Sequence, residues 1–303
     1  MNKSTPQSND PMSDLTARVI ESMADTRDPR FKEVMSCLVR KLHEFIREVD
    51  LTPQEWIAGI EFLTATGKMC DSKRQEFILL SDTLGASMMV VMLDQARAER
   101  RNEGSRQATV ATEATVQGPY YWEGAPELPL GSNIAEGVIG EPAYYSGKVT
   151  DTQGRPLAGA LLDVWSGDGE GNYDMQVEGA EMAARARLRT DSEGRYSFWS
   201  IRPSFYPIPM DGPVGKMINH MGRDPNRPGH IHMMVSAPGH ERVTTHLFVA
   251  NSPYIDTDIV FGVRDSLIIE YQRHEPGVTP DGQTMKSSYW SASYDFCLIP
   301  SGL

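Results

Sequence analysis

Cysteine is scarce in this chain. Among 303 residues there are three, Cys37, Cys70 and Cys297, an odd number without metal-type spacing. A disulfide framework is therefore not expected. Basic side chains are in the minority: 29 Lys and Arg against 41 Asp and Glu leave a formal charge of −12. That balance argues against nucleic acid or an anionic lipid surface as a partner, since both demand clustered cations. No run approaches the roughly 18 consecutive apolar residues of a membrane-spanning helix. The opening stretch MNKSTPQSNDPMSDL is polar and lacks the apolar centre of a secretory signal. Together these absences predict a cytoplasmic protein with no disulfides and no membrane insertion. The composition present, 40% hydrophobic and 23% charged, suits one large or two ordinary globular domains.

Residues 1–12 are rich in Ser, Asn and Pro and are expected to form a mobile tail. From Asp28 the pattern turns helical: Pro29 suits a first helical position, and Phe31, Val34, Leu38, Leu42, Phe45 and Val49 recur at three- and four-residue steps. Thr52 and Glu55 bracket a capping box ahead of Trp56, Ile60 and Leu63, with Gly67 as the expected C-terminal cap. Ser72 and Gln75 repeat the capping spacing before Phe77-Ile78-Leu79-Leu80, and a last helix with Met88, Val91 and Met92 runs to about Ala98. Residues 13–104 are thus read as helical and 105–303 as strand-rich. In the second part Ala143–Thr150, Ala160–Trp165, Arg187–Thr190, Arg195–Ile201, Ile231–Ser236, Val243–Val249 and Tyr289–Ile299 are short, β-branched or aromatic, and separated by turn residues. The expected fold class is α+β: a helical N-terminal domain followed by a β-sandwich of mixed topology with long loops. Long loops on a rigid scaffold are where sites tend to lie.

His230-Ile231-His232 opens an apolar strand, and residues two apart on a strand share a face. Both imidazoles can converge on one ion; alone, the pair also fits two solvated histidines at a strand edge. Tyr173 stands in the Gly-rich turn after the strand ending at Trp165, and Tyr206 in a Pro-bounded loop after the strand ending near Ile201. A tyrosine in such a loop, taken by itself, usually just packs its ring.

The blocks GNYDMQ, RPSFYPIPMDGPVG and RPGHIHMMVSAPGH resemble the signature segments of the intradiol ring-cleavage dioxygenases, in the order Tyr, Tyr, His-x-His. The likeness spans nearly the whole chain. LTPQEWIAGIEFLTATG, RQEFILLSDTLG, YPIPMDGPVG and SPYIDTDIVFGVRDSL look most like the hydroxyquinol branch of that family. The resemblance implies one non-haem Fe(III) per subunit held by Tyr173, Tyr206, His230 and His232, with Tyr206 and His232 axial. It implies dioxygen-dependent opening of a small aromatic diol or triol between its adjacent hydroxyls, with Tyr206 taking a substrate proton. The chemistry agrees: two phenolates and two neutral imidazoles suit a highly charged ferric ion. A phenol of ordinary pKa about 10 is ionised at neutral pH only by a strong Lewis acid.

Arg227, three residues before His230, is expected to steady anionic substrate, although it also fits a surface turn. His246 on the next strand is expected beside the ligands. The resemblance implies a pocket lined by Leu79, Asp82, Val116, Gln117, Gly118, Pro119 and Tyr120 from the first half of the chain. From the second half it implies Ile208, Pro209, Arg227 and Val260. Asp82 sits in an apolar stretch, where a buried carboxylate needs a hydrogen-bond partner such as the third hydroxyl of hydroxyquinol; a helix-end or solvent-facing aspartate is the other reading. Catechol and chlorocatechol are alternative substrates. A homodimer through the N-terminal helices, sometimes with a phospholipid along the interface, is likewise implied. A rival comes from SGKVTDTQGRPLAGALLDVW, which resembles metal-free transthyretin-like binding modules. It survives only if the four candidate ligands stay apart.

Overall fold

The computed structural model describes residues 10–71, 74–102, 109–176 and 181–301. The chain divides into two compact units, Met1–Thr64 and Ala65–Leu303. In the first, helices α1 (Pro11–Glu21) and α2 (Pro29–Glu48) begin alike. Asp10 accepts from the Met12 N–H at 3.2 Å, Asp28 accepts from Arg30 and Phe31 at 2.9 and 3.1 Å, and a proline follows each cap. Helix α1 occupies residues 11 and 12 of the expected tail, and its Asp-Pro start is the signal that the Ser/Asn-rich composition obscured. Thr16 Oγ1 meets His43 Nδ1 at 2.9 Å and ties α1 to α2. Helix α3 (Pro53–Lys68) starts with the expected capping box: the Thr52 N–H donates to Glu55 Oε2 at 2.9 Å, and the Glu55 N–H to Thr52 Oγ1 at 3.3 Å. Gly67 does not cap this helix; it lies inside it. On α2 only Ser36 is buried, while Phe31, Val34, Leu38, Leu42 and Phe45 are about half exposed.

The second unit holds α4 (Glu76–Thr83), α5 (Ala86–Arg101) and α6 (Pro213–Met221). Leu79 and Met88 bury themselves with Val116, Ile208, Val214, Ile218, Ile259 and Val260. That cluster is why α4 and α5 belong to the sandwich unit. The contact boundary falls at Thr64–Ala65 rather than at 104–105, which lies outside the described residues, as does Ser72, the expected cap of α4. A change of periodicity marks a change of element type, not of compact unit. Helix α6 was absent from the expected elements, although Pro213 at its first turn and Gly222 beyond its end (φ 66°) punctuate it.

The strands are β1 (Pro142–Asp151), β2 (Leu161–Trp165), β3 (Arg185–Arg189), β4 (Arg195–Ile201), β5 (Tyr206–Pro207), β6 (Asn226–Arg227), β7 (His230–Ser236), β8 (Val243–Val249), β9 (Ile268–Ile269), β10 (Gln272–His274), β11 (Gly277–Val278), β12 (Thr284–Met285), β13 (Tyr289–Ser293) and β14 (Phe296–Leu298). Two five-stranded sheets carry the architecture. One centres on β1, antiparallel to β4 and parallel to β13 and β14; the other runs β3-β2-β7-β8-β9. The expected strand 289–299 is split because the Asp295 carboxylate, not backbone, takes the Lys148 N–H at 2.8 Å. Tyr145, Val149 and Phe198 from the first sheet pack with Leu162, Leu188, Ile231, Met233 and Val235 from the second. This core fixes the sandwich and leaves the other face of the second sheet free for chemistry.

Candidate metal centre and substrate pocket

On β7 the two-residue alternation sends Ile231, Met233 and Val235 into the core and turns His230 and His232 the other way. Register extends that face sideways: Trp165 on β2 pairs with His232, which pairs with His246 on β8. The Trp165 ring stacks on His232 at 4.6 Å and 13°, and His246 meets His232 edge-on at 4.3 Å.

Two loops bring phenols over this face. Tyr173 precedes the turn Asp174–Gln176, where Gln176 Oε1 accepts its backbone N–H at 2.8 Å. Arg185 of β3 holds the Asp174 carboxylate, Nε to Oδ2 at 2.6 Å, with both side chains buried. Tyr206 opens β5 and pairs directly with Arg227 of β6. As a result Tyr173 Oη lies 2.9 Å from His232 Nε2 and 3.4 Å from Tyr206 Oη, which is 3.4 Å from His230 Nε2. All four side chains are at most 5% exposed.

Atoms bound to one ion at about 2 Å sit roughly 3 Å from each other, which these spacings match. The protonation pattern fits as well. His230 Nδ1 is 2.7 Å from the Pro228 carbonyl, which only accepts, so Nδ1 carries the proton and the Nε2 lone pair faces the phenols. Burial, then the charge of Arg227, pushes the His230 pKa down to about 3. His232 and His246 are also held well below their ordinary value, by burial first and neighbouring imidazoles next. Burial, followed by Tyr206, pushes the Tyr173 hydroxyl well above its usual range. A phenol in that environment ionises only against a nearby cation. His230, His232 and His246 also offer ring nitrogens within 4.8 Å of one another. Thr115 Oγ1 engages His246 Nδ1 at 3.0 Å and leaves its Nε2 without a hydrogen-bond partner among the described residues; a purely imidazole site, however, gives no account of the Tyr173 hydroxyl 2.9 Å from His232 Nε2.

Residues 116–300 match the Dioxygenase family, and residues 28–102 match the family described as catechol dioxygenase N terminus. The chain belongs to the intradiol ring-cleavage dioxygenases. It is 46% identical to hydroxyquinol 1,2-dioxygenase of Nocardioides simplex, covering 95% of each chain. It is also 46% identical to 6-chlorohydroxyquinol 1,2-dioxygenase of Cupriavidus pinatubonensis, covering 95% of this chain and 97% of that one. The solved hydroxyquinol 1,2-dioxygenase from Pseudomonas putida DLL-E4 superposes with a TM-score of 0.84 at 43% identity, covering 96% and 99% of the two chains. For catechol 1,2-dioxygenase from Pseudomonas arvilla C-1 the TM-score is 0.81 at 28% identity, with 98% and 94% covered. The metal-free rival is set aside, because the four side chains converge.

In this dioxygenase Tyr120 stacks on Tyr173 at 4.5 Å, next to a cavity of about 410 Å³ lined by Leu79, Pro119, Tyr120 and Pro209, with Arg74 and Asp211 also on its wall. Gly118 (φ 76°) passes so close that a Cβ there would sit 3.3 Å from His232 Cε1. Val116, Ile208 and Val260 join Leu79 in the apolar cluster behind. Asp82, in the last turn of α4, is 2% exposed, and burial raises its pKa while a side-chain hydrogen bond with Ser87 and the charge of Arg227 pull the other way; the solvent-facing reading of Asp82 is thereby excluded, while the helix-end one holds. Gln117 is exposed, so its side chain is no part of a buried wall. Arg227 is not on the surface either. It is buried against Asp258, with Nη1 3.1 Å from His230 Nε2. Removing one partner of such a buried pair typically costs 3–5 kcal/mol.

Sequence reading missed Trp165, Thr115, Arg185 and Asp258. Trp165 was legible from strand parity, since Leu161, Asp163 and Trp165 alternate with the core residues Leu162 and Val164. Thr115 meets His246 across 131 residues, a contact that no local pattern announces.

The three buried histidines make a stability prediction. Their folded pKa values are depressed from 6.5, so below that pH the unfolded chain binds protons that the folded chain refuses. Stability is therefore present above pH 6.5 and lost as pH falls below it toward the depressed folded values, about 3 for His230. With three such groups the slope approaches roughly 4 kcal/mol per pH unit. Thermal melts of chelator-treated protein between about pH 7.5 and about pH 5 should show Tm falling steeply below 6.5. A flat profile would contradict neutral burial.

Proposed function

We propose that this dioxygenase opens the ring of hydroxyquinol between its adjacent hydroxyls, adding both atoms of dioxygen to give 3-hydroxy-cis,cis-muconate, the enol form of maleylacetate. Relatives carrying the hydroxyquinol name at 45–46% identity support the substrate. The observation that carries the chemistry is the approach of the Tyr173 and Tyr206 hydroxyls to each other and to the Nε2 atoms of His232 and His230.

Tyr173, Tyr206, His230 and His232 would hold one Fe(III), which supplies the Lewis acidity that keeps phenolates and a chelated diol ionised. The remaining work belongs to the protein. Tyr206 Oη accepts one proton as the diol binds. Arg227, permanently charged and dry, steadies the negative charge that builds on the ring. Asp82, on the Leu79 face of α4, meets the third hydroxyl. The cavity walls exclude water and fix the ring in place.

Oxygen uptake with hydroxyquinol, catechol and 4-chlorocatechol, side by side under ¹⁸O₂, tests this reading. The expected result is one dioxygen per hydroxyquinol, both labels in the product, and the highest kcat/KM for hydroxyquinol. Preference for catechol would make it a catechol dioxygenase, and absence of label would end the ring-opening reading.

The apolar faces of α2 and α3 support a homodimer built on the first unit, where Trp56 and Leu63 are about half exposed alongside Phe31, Leu38 and Phe45. Light scattering should give twice the 33.7 kDa chain mass, and Leu38→Glu with Phe45→Glu should give the monomer. A monomeric wild type contradicts this. Solvent extraction of the purified dimer tests for a bound phospholipid.

A further inference from the structure

We propose that Asp258 is a positioning residue for this reaction, acting through Arg227; the inference rests on the ring-opening reading above. Asp258 grips the guanidinium side-on, with Arg227 Nε 3.0 Å from Oδ1 and Nη2 3.1 Å from Oδ2. A bidentate fork fixes the plane of the guanidinium as well as its place. The grip leaves Nη1 as the nitrogen aimed at the candidate iron site, 3.1 Å from His230 Nε2. Asp258 is 2% exposed and touches none of the four candidate ligands in the described hydrogen-bond pattern.

The same carboxylate is anchored on its far side. Oδ2 accepts the Gly262 N–H at 2.9 Å and Oδ1 the Val260 N–H at 3.4 Å, so the pocket-side turn and the guanidinium share one support. That turn is pinned to the β6 region, because the Ile259 carbonyl accepts from Arg223 at 2.8 Å and the Ile259 N–H reaches the Asn226 carbonyl at 3.4 Å. There is little room for the guanidinium to swing: a Cβ at Gly262 would sit 3.1 Å from Arg227 Nη2. Without the carboxylate, a buried cation beside His230 would be free to turn out of the orientation in which Nη1 faces the site. A displacement of about 1 Å in a charge-stabilising group is enough to cost a large factor in rate. Because the role passes through Arg227, its loss should appear in kcat rather than KM, and should vanish when Arg227 is already gone.

The test is a double-mutant cycle on iron-loaded protein, using Arg227→Gln, Asp258→Asn and the pair. Arg227→Gln should lower kcat by about 100-fold, and Asp258→Asn by about 10-fold with KM within about threefold of wild type. On top of Arg227→Gln, Asp258→Asn should cost less than about twofold. Iron content and the visible band of the resting protein should be unchanged in Asp258→Asn, which a merely structural loss would not allow. Equal losses in both backgrounds, or loss of iron, overturn the proposal. Should Asp258→Asn fail to fold, Asp258→Glu keeps the charge but displaces it and is read through the same cycle, with the same two outcomes. A wild type that opens no ortho-diol sinks the ring-opening reading and this proposal together. Turnover by wild type with independent variants sinks this proposal alone.

Discussion

Tyr173→Phe should purify with less than about a tenth of the wild-type iron and lose about 10³-fold or more in turnover, whereas His246→Ala should keep its iron and its colour. The contrast follows from geometry. Tyr173 Oη stands 2.9 Å from His232 Nε2 and 3.4 Å from Tyr206 Oη, inside the ring of donors. By ring distance His246 is the nearer to His232, 4.3 Å against 5.9 Å for Tyr173, but neither phenol oxygen is hydrogen-bonded to it in the described pattern and Thr115 holds its Nδ1. A group supporting ligands from outside typically costs about 10- to 100-fold when lost. The phenyl ring of Tyr173→Phe still packs on Tyr120, so the substitution removes a donor with little change in core volume. Metal analysis of both variants decides between the mixed phenol–imidazole set and a purely imidazole one. Loss of iron in His246→Ala, with iron retained in Tyr173→Phe, would establish the latter.

Asp82→Ala should lower the ratio of kcat/KM for hydroxyquinol over catechol by about 10- to 100-fold, chiefly by reducing the hydroxyquinol value. Asp82 is a carboxylate with 2% exposure one helical turn beyond Leu79, which lines the cavity and packs with Val116, Ile208 and Val260. Burying such a group is costly; Ser87 offsets part of that cost, and a substrate hydroxyl that meets the carboxylate offsets more of it. A pocket built to bond a hydroxyl rejects the analogue lacking it because its own polar atom is left unsatisfied. Alanine removes both the attraction and the penalty, so catechol should lose little or even gain. An unchanged ratio would place the selectivity elsewhere on the pocket wall.

The candidate donor set came from the family resemblance of three short blocks, GNYDMQ, RPSFYPIPMDGPVG and RPGHIHMMVSAPGH, since local pattern alone left each member open. Strand parity put His230 and His232 on one face without any structure, and the Gly- and Pro-rich flanks marked Tyr173 and Tyr206 as loop residues. The expected capping box at Thr52 formed for a reason internal to four consecutive residues. What escaped was made by distant parts of the chain. The Asp258 grip on Arg227 spans 31 residues, and its signal, a carboxylate followed by the N–H groups of Val260 and Gly262, looks like any turn. Helices α1 and α6 were hidden by composition: Asp10-Pro11 lies in a polar opening, and Gly212-Pro213 in a stretch dense with Pro and Gly. The compact-unit boundary differs from the change of periodicity because periodicity reports element type, whereas Leu79 and Met88 bury themselves among residues more than a hundred positions away as well as nearby.

The most direct measurement is the metal content and visible spectrum of the purified protein, before and after adding hydroxyquinol without oxygen. One iron per chain, a broad tyrosinate-to-Fe(III) absorption that makes the protein red, and a shift of that band when the diol binds are expected. A colourless protein that carries zinc, or one whose band ignores hydroxyquinol, would contradict the convergence of Tyr173, Tyr206, His230 and His232 on a single ferric ion.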